Sequence, residues 1–322
     1  MQQHVSGSVL PAGDSWVDVI EVGTRDGLQI ETTLVPAAQK IAILNAMIAS
    51  GIRHIEVTSF VSPKAVPQLA DASEVLAGIA RRDDTFLMAL IPNVKGAERA
   101  ALTSLDGGVL LCSASETHNR KNLNRSIADT ISGFGPVVEC LHQAGIDAMG
   151  AVATAFGCPF EGEVSIAAVE RIVGAYAELG ITHITLGDTT GMATPRNVRS
   201  TVRALRQSFP QLQITLHLHN TRGIGLANVV VGLEEGIRRF DASVGGLGGC
   251  PFAAGATGNI CTEDLVYLLA ESGYRTGIDL SQSIAVALQM ERVLGKRLSG
   301  QVMRAGPRLA LHAADAVPTA AG

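Results

Sequence analysis

No cluster of lysine and arginine, no CxxC pair and no unbroken run of about 18 apolar residues occurs in this chain of 322 residues. Each absence closes off a class of function. Lys and Arg number 25 against 30 Asp and Glu, a formal charge of -5, so there is no basic excess to track a phosphate backbone and nucleic acid is not an expected partner. Every apolar stretch is cut by Gly, Thr or a charge, which argues against a membrane span. The opening MQQHVSGSVLPAGDSW lacks a basic n-region and an apolar h-region, and the ending VPTAAG matches no prenylation or peroxisomal signal. The expected location is cytoplasmic. Five scattered cysteines, at 112, 140, 158, 250 and 261, form neither a disulfide framework nor a structural zinc site, so a functional cysteine here should be a reagent. No GxGxxG or Walker A sequence opens a helix.

What is present is a repeating order. The 47% hydrophobic content is ample for a large core, and short β-rich runs alternate with amphipathic helical stretches eight times. The strand candidates are Trp16–Val22, His54–Phe60, Thr85–Ile91, Gly108–Cys112, Ala148–Phe156, His183–Leu186, Gln213–His219 and Phe240–Val244. The first helix has Pro36 at an N1-like position, Ile41, Leu44 and Ile48 on one face, and Gly51 as its stop. Eight β-then-α units in about 250 residues predict an α/β protein with a parallel (β/α)8 TIM barrel. Additional C-terminal helices are expected at Thr262–Glu271 and Leu280–Leu294. The division expected is an N-terminal extension over 1–15, a barrel domain with its C-terminal helix over 16–298, and a poorly ordered tail over 299–322.

Active sites of such barrels lie at the C-terminal ends of the strands, so polar residues there are candidates. Arg25 and Asp26 follow strand one, Glu56 lies on strand two, Asp188 ends strand six, and His217 and His219 end strand seven. In QITLHLHN the residues Ile214, Leu216 and Leu218 share one side and Thr215, His217 and His219 the other. One such histidine alone reads as a hydrogen-bonded core residue; two on the inward side, with Asp26 and Asn259 at neighbouring strand ends, read as a metal site. Two nitrogens and two oxygens suit a divalent cation, Mg²⁺ or Mn²⁺, although imidazole would also suit Fe²⁺ or Zn²⁺. A lone RDG would be a surface turn with a solvated ion pair, but its place after strand one points to function. Asp188 reads equally as the cap of the following turn or as a carboxylate orienting a ligand.

After strand eight the chain reads ASVGGLGGCPFAAGATGN, Ala242 to Asn259, with six glycines around one thiol, Cys250. GCPF also occurs at Gly157–Phe160, and composition does not choose between the two copies. Cys112 reads as a small packed residue.

EVGTRDGLQIE, IEVTSFVSPKAVPQLAD, GCPFEG, LGDTTG, HLHN and GLGGCPFAAGATGNICTEDLVYLL closely resemble the 3-hydroxy-3-methylglutaryl-CoA (HMG-CoA) lyases, from about residue 18 to about residue 295. The resemblance implies metal-dependent cleavage of an acyl-CoA to acetyl-CoA and acetoacetate, as in leucine degradation. It implies Asp26, His217, His219 and Asn259 as metal ligands, Arg25 as the catalytic cation, Cys250 as the thiol on a mobile loop, and Glu56 and Asp188 as residues orienting these. The base that removes the substrate's hydroxyl proton is left between Asp26 and His217. A homodimer is implied too. Three positions depart from the pattern: Asn220 and Arg222, where many members carry Asp and Tyr, and Ile30, where Asn is frequent. These leave the acyl chain open, with citramalyl-CoA an alternative substrate. The rival readings are a condensing acyltransferase of the isopropylmalate or homocitrate synthase type, a non-haem iron oxygenase and a binding protein without turnover.

Overall fold

The computed structural model describes residues 15–249 and 258–311. Its strands are β1 (Asp18–Glu21), β2 (His54–Ser59), β3 (Phe86–Leu90), β4 (Gly107–Ser113), β5 (Asp147–Ala153), β6 (His183–Gly187), β7 (Gln213–His217) and β8 (Arg239–Ala242). They pair in sequence order, all parallel, and β8 returns to β1 through Asp18↔Arg239 to Glu21↔Ala242, which closes the sheet into a barrel. Around it lie α1 (Ala37–Ala49), α2 (Ala72–Gly78), α3 (Val94–Ala100), α4 (Glu116–Leu123), α5 (Ile127–Ser132) and α6 (Phe134–Gln143). They are followed by α7 (Ile166–Glu178), α8 (Pro195–Ser208), α9 (Gly225–Glu234), α10 (Thr262–Glu271), α11 (Leu280–Leu294) and α12 (Val302–Ala305). No helix among the described residues is long and apolar enough to cross a membrane.

The two faces of each strand separate two cores, as a period of two requires. Leu87, Ala89 and Ile91 of the third unit, and Ile214, Leu216 and Leu218 of the seventh, point out and pack in the large core shared by sheet and helices. Ile20, Val22, Met88, Leu90, Val109, Met149 and Ala151 point inward and fill the barrel's centre. The second cluster is small because several inward positions near the C-terminal end of the strands carry polar side chains instead.

Most strand ends differ from the sequence reading by one or two residues, and three boundaries differ for identifiable local reasons. β5 stops at Ala153 and not at Phe156 because Thr154 adopts φ 55, a left-handed conformation that breaks the ladder. β7 stops at His217, and His219 forms an isolated antiparallel bridge with Asn259. Pro36 is the extended N-cap of α1, with ψ 148, one position before the N1 expected of it. The chain beyond Ser299 is also more ordered than expected as far as Ala305. Asp264 on α10 accepts hydrogen bonds from the backbone N–H groups of Gln301 and Val302, and Met303 is buried in the main core. Residues 1–14 and 312–322, which hold nearly all of the expected extension and much of the expected tail, lie outside the described residues.

Candidate active site

The end of β1 is turned by one wide helical turn, Gly23–Gly27, in which the N–H groups of Asp26 and Gly27 both donate to the carbonyl of Val22 (2.8 and 3.3 Å). The turn is anchored from below by a buried carboxyl. Glu21 accepts from the Gly23 N–H (2.7 Å), the Val244 N–H (2.9 Å) and the Thr262 hydroxyl (2.6 Å), tying β1, the segment after β8 and the start of α10 to one point. Burial is the largest influence on it and pushes its pKa up to about 7 against those three hydrogen bonds. Gly23 is required by this closeness: a Cβ there would lie 2.6 Å from Glu21 Oε1 and 2.9 Å from Val244 Cγ1.

The turn carries Arg25 and Asp26 over the barrel mouth. Arg25 spans two carboxylates, Nη1 to Asp26 Oδ1 and Nη2 to Glu56 Oε2, both at 2.8 Å. This use of both arms of the planar fork fixes its orientation in a way a lysine would not reproduce. Burial disfavours the charge on Arg25, but Glu56 and Asp26 outweigh it and hold the guanidinium charged. For Glu56 burial wins over Arg25 and its pKa is raised. For Asp26 burial is outweighed by Arg25, the two histidines and the Asn259 amide, so its pKa is lowered.

Beside this ion-pair network the two imidazoles converge. His217 Nε2 lies 3.2 Å from His219 Nε2 and 4.0 Å from Asp26 Oδ2, and one ligand atom from each of Asp26, His217 and His219 lies within 4.8 Å of the others. Asn259 joins them from the far side of the glycine loop. Its Nδ2 donates to Asp26 Oδ2 (2.8 Å) and to the carbonyl of Leu247 (3.0 Å), two pure acceptors, which fixes the amide's orientation. Its Oδ1 is therefore the atom left over, buried and without a hydrogen-bond partner among the described residues. Gly248, at φ +106, allows the loop to close this tightly, since a Cβ there would lie 2.6 Å from Asn259 Nδ2 and 3.1 Å from Asp26 Oδ2. His217 Nδ1, on the other side of its ring, is 3.0 Å from Asp241 Oδ2. Burial lowers the His217 pKa, but the Asp241 hydrogen bond and charge, with Asp26, bring it out above the ordinary value.

A divalent cation fits these residues on two counts. The orphaned Oδ1, two ring nitrogens that face one another and a carboxylate form a mixed N/O donor set. Three carboxyls, Asp26, Glu56 and Asp241, also gather in this buried cluster, and a divalent cation would offset the negative charge they bring. A cavity of about 130 Å³ opens beside the cluster, with Gln29, His118 and Asn122 at its rim, Met88, Val109 and Met149 below, and Gly249 on its edge.

The remaining sequence candidates separate. Asp188 follows β6 directly and is buried; its Oδ1 accepts from the Ala193 N–H at 2.8 Å, so it caps its own loop, and burial pushes its pKa up to about 7. It does not line the cavity, but it also accepts a hydrogen bond from the backbone of His219 and interacts with the charge of His217, so it supports the two strand-end histidines. In the first GCPF copy, Cys158 Sγ lies 3.0 Å from Ser115 Oγ inside a small bridge closed by Cys158 and Gly162, and it does not reach the cavity. Cys112 is packed, and burial pushes its thiol up to about 12. Cys250 lies outside the described residues. Three groups that the sequence reading missed are Glu21, Asp241 and His118. Asp241 had a signal, because it sits between the apolar Phe240 and Ala242 on the last strand, and that alternation turns it inward.

The sequence model of the HMGL-like family matches residues 16–289. The chain is 42% identical over 282 residues to hydroxymethylglutaryl-CoA lyase YngG of Bacillus subtilis, covering 88% of this chain and 94% of that one. It is 39% identical over 293 residues to the mitochondrial hydroxymethylglutaryl-CoA lyase of Homo sapiens, covering 91% and 90%. Among solved structures, an HMG-CoA lyase from Acinetobacter baumannii in complex with coenzyme A and 3-methylmalate superposes with a TM-score of 0.90 at 48% identity, covering 94% of this chain and 99% of that one.

Proposed function

The chain belongs to the HMGL-like family, and from that premise we propose that it is a carbon–carbon lyase cleaving HMG-CoA to acetyl-CoA and acetoacetate at the mouth of its barrel. The observation that carries the reading is the meeting of Arg25, Asp26, His217 and His219 around one cavity, with Asn259 hydrogen-bonded to Asp26 beside them, all drawn from three distant segments.

Asp26, His217, His219 and Asn259 would hold the divalent cation. When bound it acts as a Lewis acid, orienting substrate oxygens and making the tertiary hydroxyl easier to deprotonate. Asp26 and His217 are the two candidates for the base; with Nδ1 of His217 engaged by Asp241 and its Nε2 on the cation side, the hydroxyl proton passes to a carboxylate oxygen of Asp26. The bond between C2 and C3 then breaks, C3 becomes the ketone of acetoacetate, and the electron pair moves onto the acetyl-CoA enolate. Arg25 is set to stabilise the negative charge that develops on the thioester oxygen. Its guanidinium is already fixed by Asp26 and Glu56, so no reorganisation is needed as the charge forms. Cys250, on the segment next to Gly249, would return a proton to the enolate carbon. Of the two GCPF copies the second is the one proposed for this role, since Cys158 is turned into its own bridge. Glu56 orients Arg25 directly, whereas Asp188 acts at one remove by shaping the loop after β6.

The test offers purified protein HMG-CoA and, separately, citramalyl-CoA with Mg²⁺ or Mn²⁺, and follows acetyl-CoA. Acetyl-CoA with acetoacetate from HMG-CoA is expected. Cleavage of citramalyl-CoA in preference would move the substrate to the shorter acyl chain, and no cleavage of either would contradict the lyase reading.

A further inference from the structure

Asp241 transfers no proton in the steps above, yet it is buried, inward-facing and 3.0 Å from His217. The contact is built into the sheet. His217 and Asp241 are direct register partners on the parallel strands β7 and β8, with Leu216↔Phe240 the pair before them, so the backbone ladder sets how the two side chains meet. A carboxylate oxygen only accepts, so Nδ1 of His217 must be the donor. A neutral imidazole carries one N–H, and its other nitrogen, Nε2, then keeps a free lone pair. Nε2 is the atom that faces His219 Nε2 and Asp26 Oδ2, at 3.2 and 4.0 Å.

From this juxtaposition we propose that Asp241 is a positioning residue: it holds His217 as the Nδ1–H tautomer, with Nε2 turned to the cation. The inference rests on the reading of Asp26, His217 and His219 as a metal centre. Without Asp241 the ring is free to rotate and to place its single proton on Nε2, where it blocks coordination. A carboxylate behind a metal-bound imidazole both orients it and strengthens it as a donor, and loss of such a partner costs about 10- to 100-fold in metal affinity.

Two measurements decide it. In ¹⁵N-histidine spectra of the Mg²⁺-loaded wild-type protein, His217, assigned by the signal lost in His217→Gln, is expected to be protonated at Nδ1 and bare at Nε2. The opposite tautomer overturns the proposal, and this holds even if no Asp241 variant folds. In titrations of the metal-free protein with Mn²⁺ followed by electron paramagnetic resonance, Asp241→Asn, whose amide can donate to Nδ1, is expected to raise Kd about 10- to 100-fold while the circular dichroism spectrum is retained. Excess Mn²⁺ is expected to restore turnover to that variant. An unchanged Kd overturns the role of Asp241, whereas a wild-type protein that takes up no Mn²⁺ overturns the metal centre itself.

Discussion

Arg25 shows most clearly what a single residue contributes. Its two arms meet two different carboxylates at equal distance, and that arrangement, more than its charge, holds the cation over the cavity. Arg25→Lys keeps the charge and loses the second contact. We expect it to lower kcat about 100-fold or more with little change in KM, because the lost interaction is made with charge that forms only in the transition state. Steady-state kinetics on HMG-CoA check this, and near-normal kcat would remove Arg25 from the mechanism. At this scale much was legible: HxH and RD, ambiguous as isolated motifs, point to function by their place at the ends of strands of an expected barrel. Asn259 was legible only in company: an asparagine in a glycine loop has many uses, and it read as a ligand because it stands at a strand end neighbouring those of Asp26 and the two histidines. Asp241 was visible only as one polar residue inside a four-residue strand, too short for its alternation to stand out.

At the scale of elements, the site depends on how the end of β1, the segment after β8 and the start of α10 are joined, and two buried carboxyls make the joint. Glu21 holds Gly23, Val244 and Thr262, and Glu263 on α10 accepts from the Gly245 N–H at 3.1 Å. Burial, the largest influence on both, pushes Glu21 up to about 7 and Glu263 up to about 8, from ordinary values of 4.5; the neighbouring Asp264 and Glu21 add to the rise at Glu263. Each therefore binds its proton more tightly folded than unfolded. The stability this gives is fully present below about pH 4.5 and is lost as the pH rises through the folded values. Glu263→Gln removes one such group. In thermal melts of metal-free protein, the Tm of the variant relative to wild type is expected to improve as the pH rises from about 4.5 to about 8 and to level off above that. A difference that stays constant with pH would show that Glu263 does not titrate in the fold. None of this joint was legible in the sequence. Glu21 precedes the RDG motif and Glu263 follows the glycine loop, and nothing in local pattern says that residues more than 200 positions apart share one buried junction.

For the whole molecule, the eight strand-helix units were read from period and punctuation, because a two-residue alternation ending in a glycine or proline signal survives in any one stretch of sequence. Closure of the barrel followed from their number. What the pattern could not give was the exact strand ends, which depend on single residues such as Thr154, and the order after Ser299, which depends on Asp264 holding two backbone N–H groups from another helix. Closure is also what gives the site its meaning, since it brings β1, β7 and the segment after β8 to one rim. The most direct measurement of that claim is an anomalous difference map at the manganese edge from crystals grown with Mn²⁺. The account predicts one strong peak at about 2.0–2.3 Å from a carboxylate oxygen of Asp26, Nε2 of His217 and His219, and Oδ1 of Asn259. A manganese peak elsewhere in the molecule, with these four side chains unliganded, would contradict it.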